Sequence, residues 1–201
     1  MASWEQSTLA SWDETFTRQL ERVATLTADL SPEQLNTRPA PKEWGIAHCL
    51  EHLTVTLKLY HPYLEGALEK AEQKGGTNPP EYRPGCFARW FFGFLKPGTR
   101  RVPAPKKFRP VDDPPPGAVE RFRTELEGYQ ALLTRADRVN VNGTKFRSPI
   151  TPLFRFSIGE GFELMVLHQD RHLDQIERTR AAVIGDSKGS GASEGELPVP
   201  E

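Results

Sequence analysis

The chain is poor in the features that would place it in several large classes. It holds only two cysteines, Cys49 and Cys86, which form no CxxC pair; two scattered thiols suit a reducing compartment or simple burial. It has no surplus of charge, with 26 basic against 27 acidic side chains and a formal charge of −1. That balance gives no global electrostatic case for nucleic acid or an acidic partner. No stretch approaches the ~18 apolar residues of a membrane span. The N-terminus, MASWEQSTLASWDETF, has early acidic residues and no apolar run, so it does not read as a signal peptide. No internal repeat or strand-like alternation stands out. The expectation is a soluble cytoplasmic chain with room for one sizeable core.

What the sequence does carry is helical periodicity in four long segments. The first spans about 3–30, with Leu9, Trp12, Phe16, Leu20, Val23 and Leu30 at three- and four-residue steps. SPEQ at 31–34 then offers Ser31 as N-cap, Pro32 at the first helical position and Gln34 to reach back. The second helix starts near Trp44–Gly45, with Gly45 a tolerable N-cap, and Pro62 is expected to kink or restart it after Tyr60. A third covers roughly 116–139. The fourth opens at Ser157 with a capping box to Glu160 and runs to about Ile184. Residues 76–116 form a long, proline-dense connection, and such loops in compact domains are often functional. The tail 185–201 has almost no apolar content and is expected to be disordered. The reading is all-α: an antiparallel-type four-helix bundle over 1–184, with a Pro-rich crossover between its second and third long helices.

Chemistry concentrates in HQDRH, within VLHQDRHLDQI at 166–176. Two histidines four apart share a helix face, so His168 and His172 can aim at one point. They sit beside Met165 and Ile176, at the edge of the buried stripe, where imidazole needs a polar partner or a metal. The motif differs by one letter from the HExxH of zinc proteases, but Gln169 has no carboxylate to act as their base. A di-iron carboxylate bundle is excluded too: Gly45, Cys49, Lys58, Met165 and Gln169 stand three positions before the histidines, and none is Glu. WGIAHCLEHL supplies His48 and His52 as further ligand candidates, His52 being nearer the apolar face. Three neutral imidazoles are a common set for catalytic zinc and also suit nickel, iron or copper. The alternative is partly buried histidines hydrogen-bonded to their neighbours.

SPEQLNTRPAPKEWGIAHCLEHL followed by HQDRHLDQI resembles the DinB-like superfamily, also described as DinB/YfiT-like metalloenzymes. The matching positions are Trp44, Gly45 and His52-Leu53, then His168, His172, Gln175 and Ile176, and the resemblance covers about 5–184. It implies a four-helix bundle holding a divalent transition metal, usually zinc or nickel with iron also admissible, through His52, His168 and His172. Known relatives include thiol-dependent transferases and an isomerase. The resemblance thus implies a metal-dependent thiol transferase or hydrolase acting on a small molecule, a low-molecular-weight thiol among the candidates, and admits a homodimer. Gly45 stands where the family usually has Ser or Thr. His48 is an extra histidine: a fourth ligand, a proton-transfer group, or, as favoured here, a surface residue. Glu51 and His48 are the nearby candidates for a base, and His61 is expected to be a helix-terminus residue without chemistry.

Residues 83–110 hold eight Lys or Arg, no acid, and the aromatics Phe87, Trp90, Phe91, Phe92, Phe94 and Phe108. The stretch can plug one end of the bundle while its cations stay in water. It can instead wall a substrate pocket, with Arg100, Arg101, Lys106 or Lys107 receiving an anion, or dip into a membrane surface. A non-catalytic, metal-stabilised bundle that binds a partner through this crossover is the alternative to an enzyme.

Overall fold

The computed structural model describes residues 8–75, 82–95 and 103–189, with side chains to 185. The expected helix over 3–7, Arg100, Arg101 and the tail from 190 onward lie outside the described residues. The long helices are α1 (Leu9–Thr27), α3 (Ile46–Lys74), α5 (Ala118–Ala136) and α6 (Ile158–Gly189). Between them lie the short α2 (Pro32–Asn36), α4 (Cys86–Phe92) and a 3-10 turn at Lys106–Phe108.

Three helices, α1, α2 and α6, start where the sequence offers a side-chain partner for the orphan N–H groups. Thr8 and Ser11 cap α1 reciprocally, as Ser31 and Gln34 cap α2. On α6 the Ser157 N–H donates to Glu160 Oε2 at 2.7 Å, and the Glu160 N–H to Ser157 Oγ at 3.2 Å. Gly45 has a steric reason to replace a hydroxyl cap: a Cβ there would lie 2.6 Å from the Thr37 carbonyl oxygen. Gly117 enters α5 in the left-handed region, at φ +83°.

Pro62 neither breaks nor restarts α3, which runs unbroken through it. Pro62 and Lys58 are exposed, so the Lys58 carbonyl that Pro62 leaves without a helical donor can face water. α6 continues to Gly189, past the expected end near Ile184.

Cross-helix pairs give the direction of each rod. Trp12 meets Glu163, Gln19 meets Asp170 and Arg180 meets Asp29, so α1 and α6 run parallel. Glu51 pairs with Arg121, Lys58 with Glu125 and Glu72 with Arg135, so α3 and α5 are parallel too. His52 against His168 and Leu64 against Gly161 make α3 and α6 antiparallel. The bundle is therefore up-down-down-up, a correction to a simply antiparallel arrangement. It also explains the crossover. The 29 residues of α3 rise about 43 Å, and the chain must return that distance before α5 can start alongside it.

The core is continuous through the bundle, with Trp12, Phe16, Leu50, Leu53, Leu57, Phe122, Leu126, Tyr129 and Phe162 all nearly inaccessible. Before α6 the chain forms an antiparallel hairpin not expected from sequence, β1 (Lys145–Arg147) with β2 (Arg155–Ser157), pairing Phe146 with Phe156. Its inward Phe146 seats against Gly161, where a Cβ would come within 2.9 Å of the ring. Three-residue strands are too short to show alternation.

Candidate metal centre

The antiparallel packing of α3 on α6 brings His52 to His168 and His172. Their candidate ligand nitrogens all lie within 4.8 Å of one another, with His52 Nε2 only 3.2 Å from His168 Nε2. The ring centroids are 4.6, 4.7 and 5.1 Å apart. His52 is buried and His168 half-buried.

Hydrogen bonds on the far side of two rings decide which nitrogen faces inward. The Phe108 carbonyl accepts from His52 Nδ1 at 2.6 Å. The Gln175 amide oxygen accepts from His172 Nδ1 at 3.1 Å. Both Nδ1 atoms therefore carry the proton, and both Nε2 lone pairs are left for the centre. Trp44 leans over the cluster, 5.0 Å from the His52 ring and stacked at 6.2 Å on His172.

Burial holds all three imidazoles in their neutral form. It is the first cause of the lowered pKa of His52. It takes His168 well below 6.5, and the neighbouring His172 and His52 add to the effect. It takes His172 down to about 3, with His52 again adding. Neutral imidazole is the form that donates a lone pair to a metal. The donor set therefore fits a borderline-soft divalent cation: three nitrogens, two of them already held in the right tautomer.

The three rings sit on the wall of a cavity of about 830 Å³, within the size range of small-molecule sites. Its walls come mainly from Trp44, Phe91, Phe94, Phe108, Phe154 and Met165. Tyr60 also lines it, but its hydroxyl is bonded to Ser148 Oγ at 2.8 Å, and burial pushes its pKa up to about 12. It stays protonated at neutral pH.

The other candidates from sequence lie elsewhere. His48 is buried, at 2% exposure, and is not the surface residue expected. Its Nε2 is 2.9 Å from the Asp112 carbonyl, so it fastens the crossover to α3 one turn from His52 without joining the cluster. Glu51 is turned to α5, where it pairs with Arg121 at 3.0 Å. His61 is in mid-helix, with its ring 5.5 Å from that of Tyr129. Gln169 is buried at 1% exposure and does not line the cavity.

The aromatic crossover divides its work. Phe92 and Phe108 enter the core, while Trp90, Phe91 and Phe94 wall the cavity. The lysines proposed to receive an anion do not line it: Lys106 is exposed, and Lys107 donates to the Pro149 carbonyl. Sequence reasoning missed the Phe108 carbonyl, because main-chain atoms leave no residue signature.

No curated protein matches the sequence. In fold the chain is similar to YfiT from Bacillus subtilis, described as a probable metal-dependent hydrolase with an unusual four-helix bundle topology. That match has 16% identity and a TM-score of 0.52, covering 96% of this chain and 93% of that one. The sequence profile of the DinB superfamily matches residues 15–176, from the middle of α1 to four residues beyond His172. With the match spanning most of the chain and reaching into all four bundle helices, the chain belongs to the DinB superfamily.

Proposed function

We propose that the chain is a metal-dependent enzyme that holds one divalent cation, zinc or nickel foremost, through His52, His168 and His172. Its substrate is a small molecule bound in the adjoining cavity, and its reaction is hydrolysis or transfer to a small thiol. The observation that carries this reading is the position of the three nitrogens on a cavity wall. A purely structural metal site would be closed by protein ligands, whereas a catalytic one keeps a side open to substrate. The named activity of the fold neighbour supports the same class.

A cation held there supplies Lewis-acid chemistry, polarising an electrophile or lowering the pKa of an attacking water or thiol. The chain's own residues bind and orient. Phe108 and Gln175 fix two imidazole tautomers, Trp44 restricts the rings, and the aromatic wall excludes water. No cysteine lines the cavity, Cys49 being buried in the core and Cys86 lying on the surface. In this reading the attacking group is water or the thiol of a second substrate. A cytoplasmic location belongs to the same proposal; among the described residues no helix is long and apolar enough to cross a membrane.

The test is elemental analysis of protein purified without a polyhistidine tag, followed by ester, amide and thiol-transfer screens with and without chelator. One transition metal per chain and a chelator-sensitive turnover are expected. Absence of stoichiometric metal after growth in metal-replete medium would overturn the reading.

A further inference from the structure

The cavity has two unlike ends. Along α6 it is lined from Leu164 to Ala182, a run of about 27 Å at the helical rise. The histidines lie between those limits. On the Leu164 side the facing α3 residue is Tyr60, and Phe108, Phe154 and Met165 complete an aromatic and aliphatic chamber. Tyr60 and Phe108 are 6.2 Å apart and Phe91 and Phe154 5.6 Å apart, so this end is closely walled. On the Ala182 side the lining comes from Arg178 and Thr179 and from the segment before α3, including Pro39, Lys42 and Glu43; Arg171 lines the cavity beside His172, where it donates to the Phe94 carbonyl at 3.1 Å. Both helices give the same order, because α3 and α6 run oppositely: apolar chamber, histidines, then charged rim. The rim carries Arg178 and Lys42 against one carboxylate among its described residues.

We propose, resting on the reading of the site given above, that the substrate is an elongated amphiphile. An acyl or aryl chain fills the chamber around Phe154 and Met165. An anionic end meets Arg178 and Lys42, and the reacting group lies between them at the histidines. Met165 and Arg178 are 13 residues apart on one helix, about 20 Å, which suits an extended ligand over a compact one. The apolar chamber gives binding that grows with buried surface, and the cations select the charge of the far end.

The experiment uses the full chain, zinc-loaded and chelator-treated. Straight-chain carboxylates of increasing length and the alcohols of equal length are titrated, following quenching of tryptophan fluorescence; Trp44 and Trp90 both line the cavity. Each added methylene is expected to tighten Kd about two- to fourfold until the chamber is full. Carboxylates are expected to bind about tenfold tighter than alcohols, even after chelator treatment, where coordination to the metal cannot account for the difference. Arg178→Gln, at an exposed position, should reduce that preference and leave the dependence on length unchanged. An affinity indifferent to chain length, or a carboxylate preference that Arg178→Gln does not alter, would overturn the inference. Metal content measured on the same samples separates the two readings. Zinc bound with no length dependence sinks the amphiphile alone, and length dependence without zinc sinks the metal alone.

Discussion

Replacing Gln175 with leucine should weaken zinc binding about tenfold without unfolding the chain. Gln175 touches no metal in the proposed site; its amide oxygen accepts from His172 Nδ1 at 3.1 Å. Its loss frees the His172 ring to rotate and to change tautomer, so the Nε2 lone pair is no longer held on the centre. Loss of such an outer partner generally costs 10–100-fold in metal affinity. A neutral hydrogen bond of ordinary length contributes about 0.5–1.5 kcal/mol, which places the expected loss near tenfold, about 1.4 kcal/mol. Gln175→Glu should act in the opposite direction, because an ionised acceptor makes a bond roughly twice as strong and raises the basicity of the ring. The assay is competition for zinc against a chromophoric chelator at pH 7.5, with a thermal melt of each metal-free variant as a check on folding. His52 serves as the internal standard, since its Nδ1 partner is a main-chain carbonyl that no side-chain substitution removes. If both variants hold zinc as the parent does, Gln175 does not orient His172 through Nδ1 and the reasoning fails.

Three further outcomes follow from the same geometry. His52→Ala should lose metal as badly as His168→Ala, while His48→Ala keeps it and loses thermal stability through its bond to Asp112; metal retained by His52→Ala and lost by His48→Ala would reverse the assignment. Gln169 is buried with neither amide atom hydrogen-bonded among the described residues, so Gln169→Leu should stabilise by about 1 kcal/mol, raising Tm by about 2–4 °C. Gln169→Glu should lower Tm and create no peptidase activity; a lower Tm for the leucine variant would show that the amide has a partner. In the metal-free chain the folded pKa values of His48, His52, His168 and His172 all lie below 6.5. From about pH 8 upward these groups are neutral in both states and contribute no pH dependence. Below it the unfolded chain takes up protons that the folded one refuses, so Tm should fall steadily between pH 7 and 5.5, and a flat melt across that window would refute burial as the cause. The same burial should carry metal binding to a lower pH than free imidazole would allow, below the value near 6 that ordinary histidine suggests.

The long helices were legible because each shows a clear stripe and one of them, α6, a capping box, and these depend on neighbours in sequence. His168 and His172 were legible for the same reason, being one helical turn apart. His52 stood nearer the apolar face than His48, but the family resemblance was needed to choose it, since both prove to be buried. The parallel pairing of α3 with α5 escaped notice, although the length of the crossover was the trace it left. α4 is seven residues long and each hairpin strand three, too short for a periodic pattern. Pro62 misled because the helix-breaking cost falls where the freed carbonyl lies on an exposed face and water can satisfy it. The crossover was legible as one possible pocket wall, but not the rest of the cavity, whose lining also comes from the segment before α3 and from the hairpin.

Two of the three histidines of α3 grip the crossover one turn apart, His52 at the carbonyl of Phe108 and His48 at that of Asp112. Every amino acid has a carbonyl, so these clasps make no demand on which side chains the crossover carries. Insertions, deletions and replacements upstream of Phe108 can therefore reshape the wall of the chamber while the imidazole beneath keeps its proton on the same nitrogen. The molecule separates a fixed reagent from an interchangeable mould. Grafting the segment between α4 and the 3-10 turn from one homologue into another should change what is bound while leaving the ligand set intact.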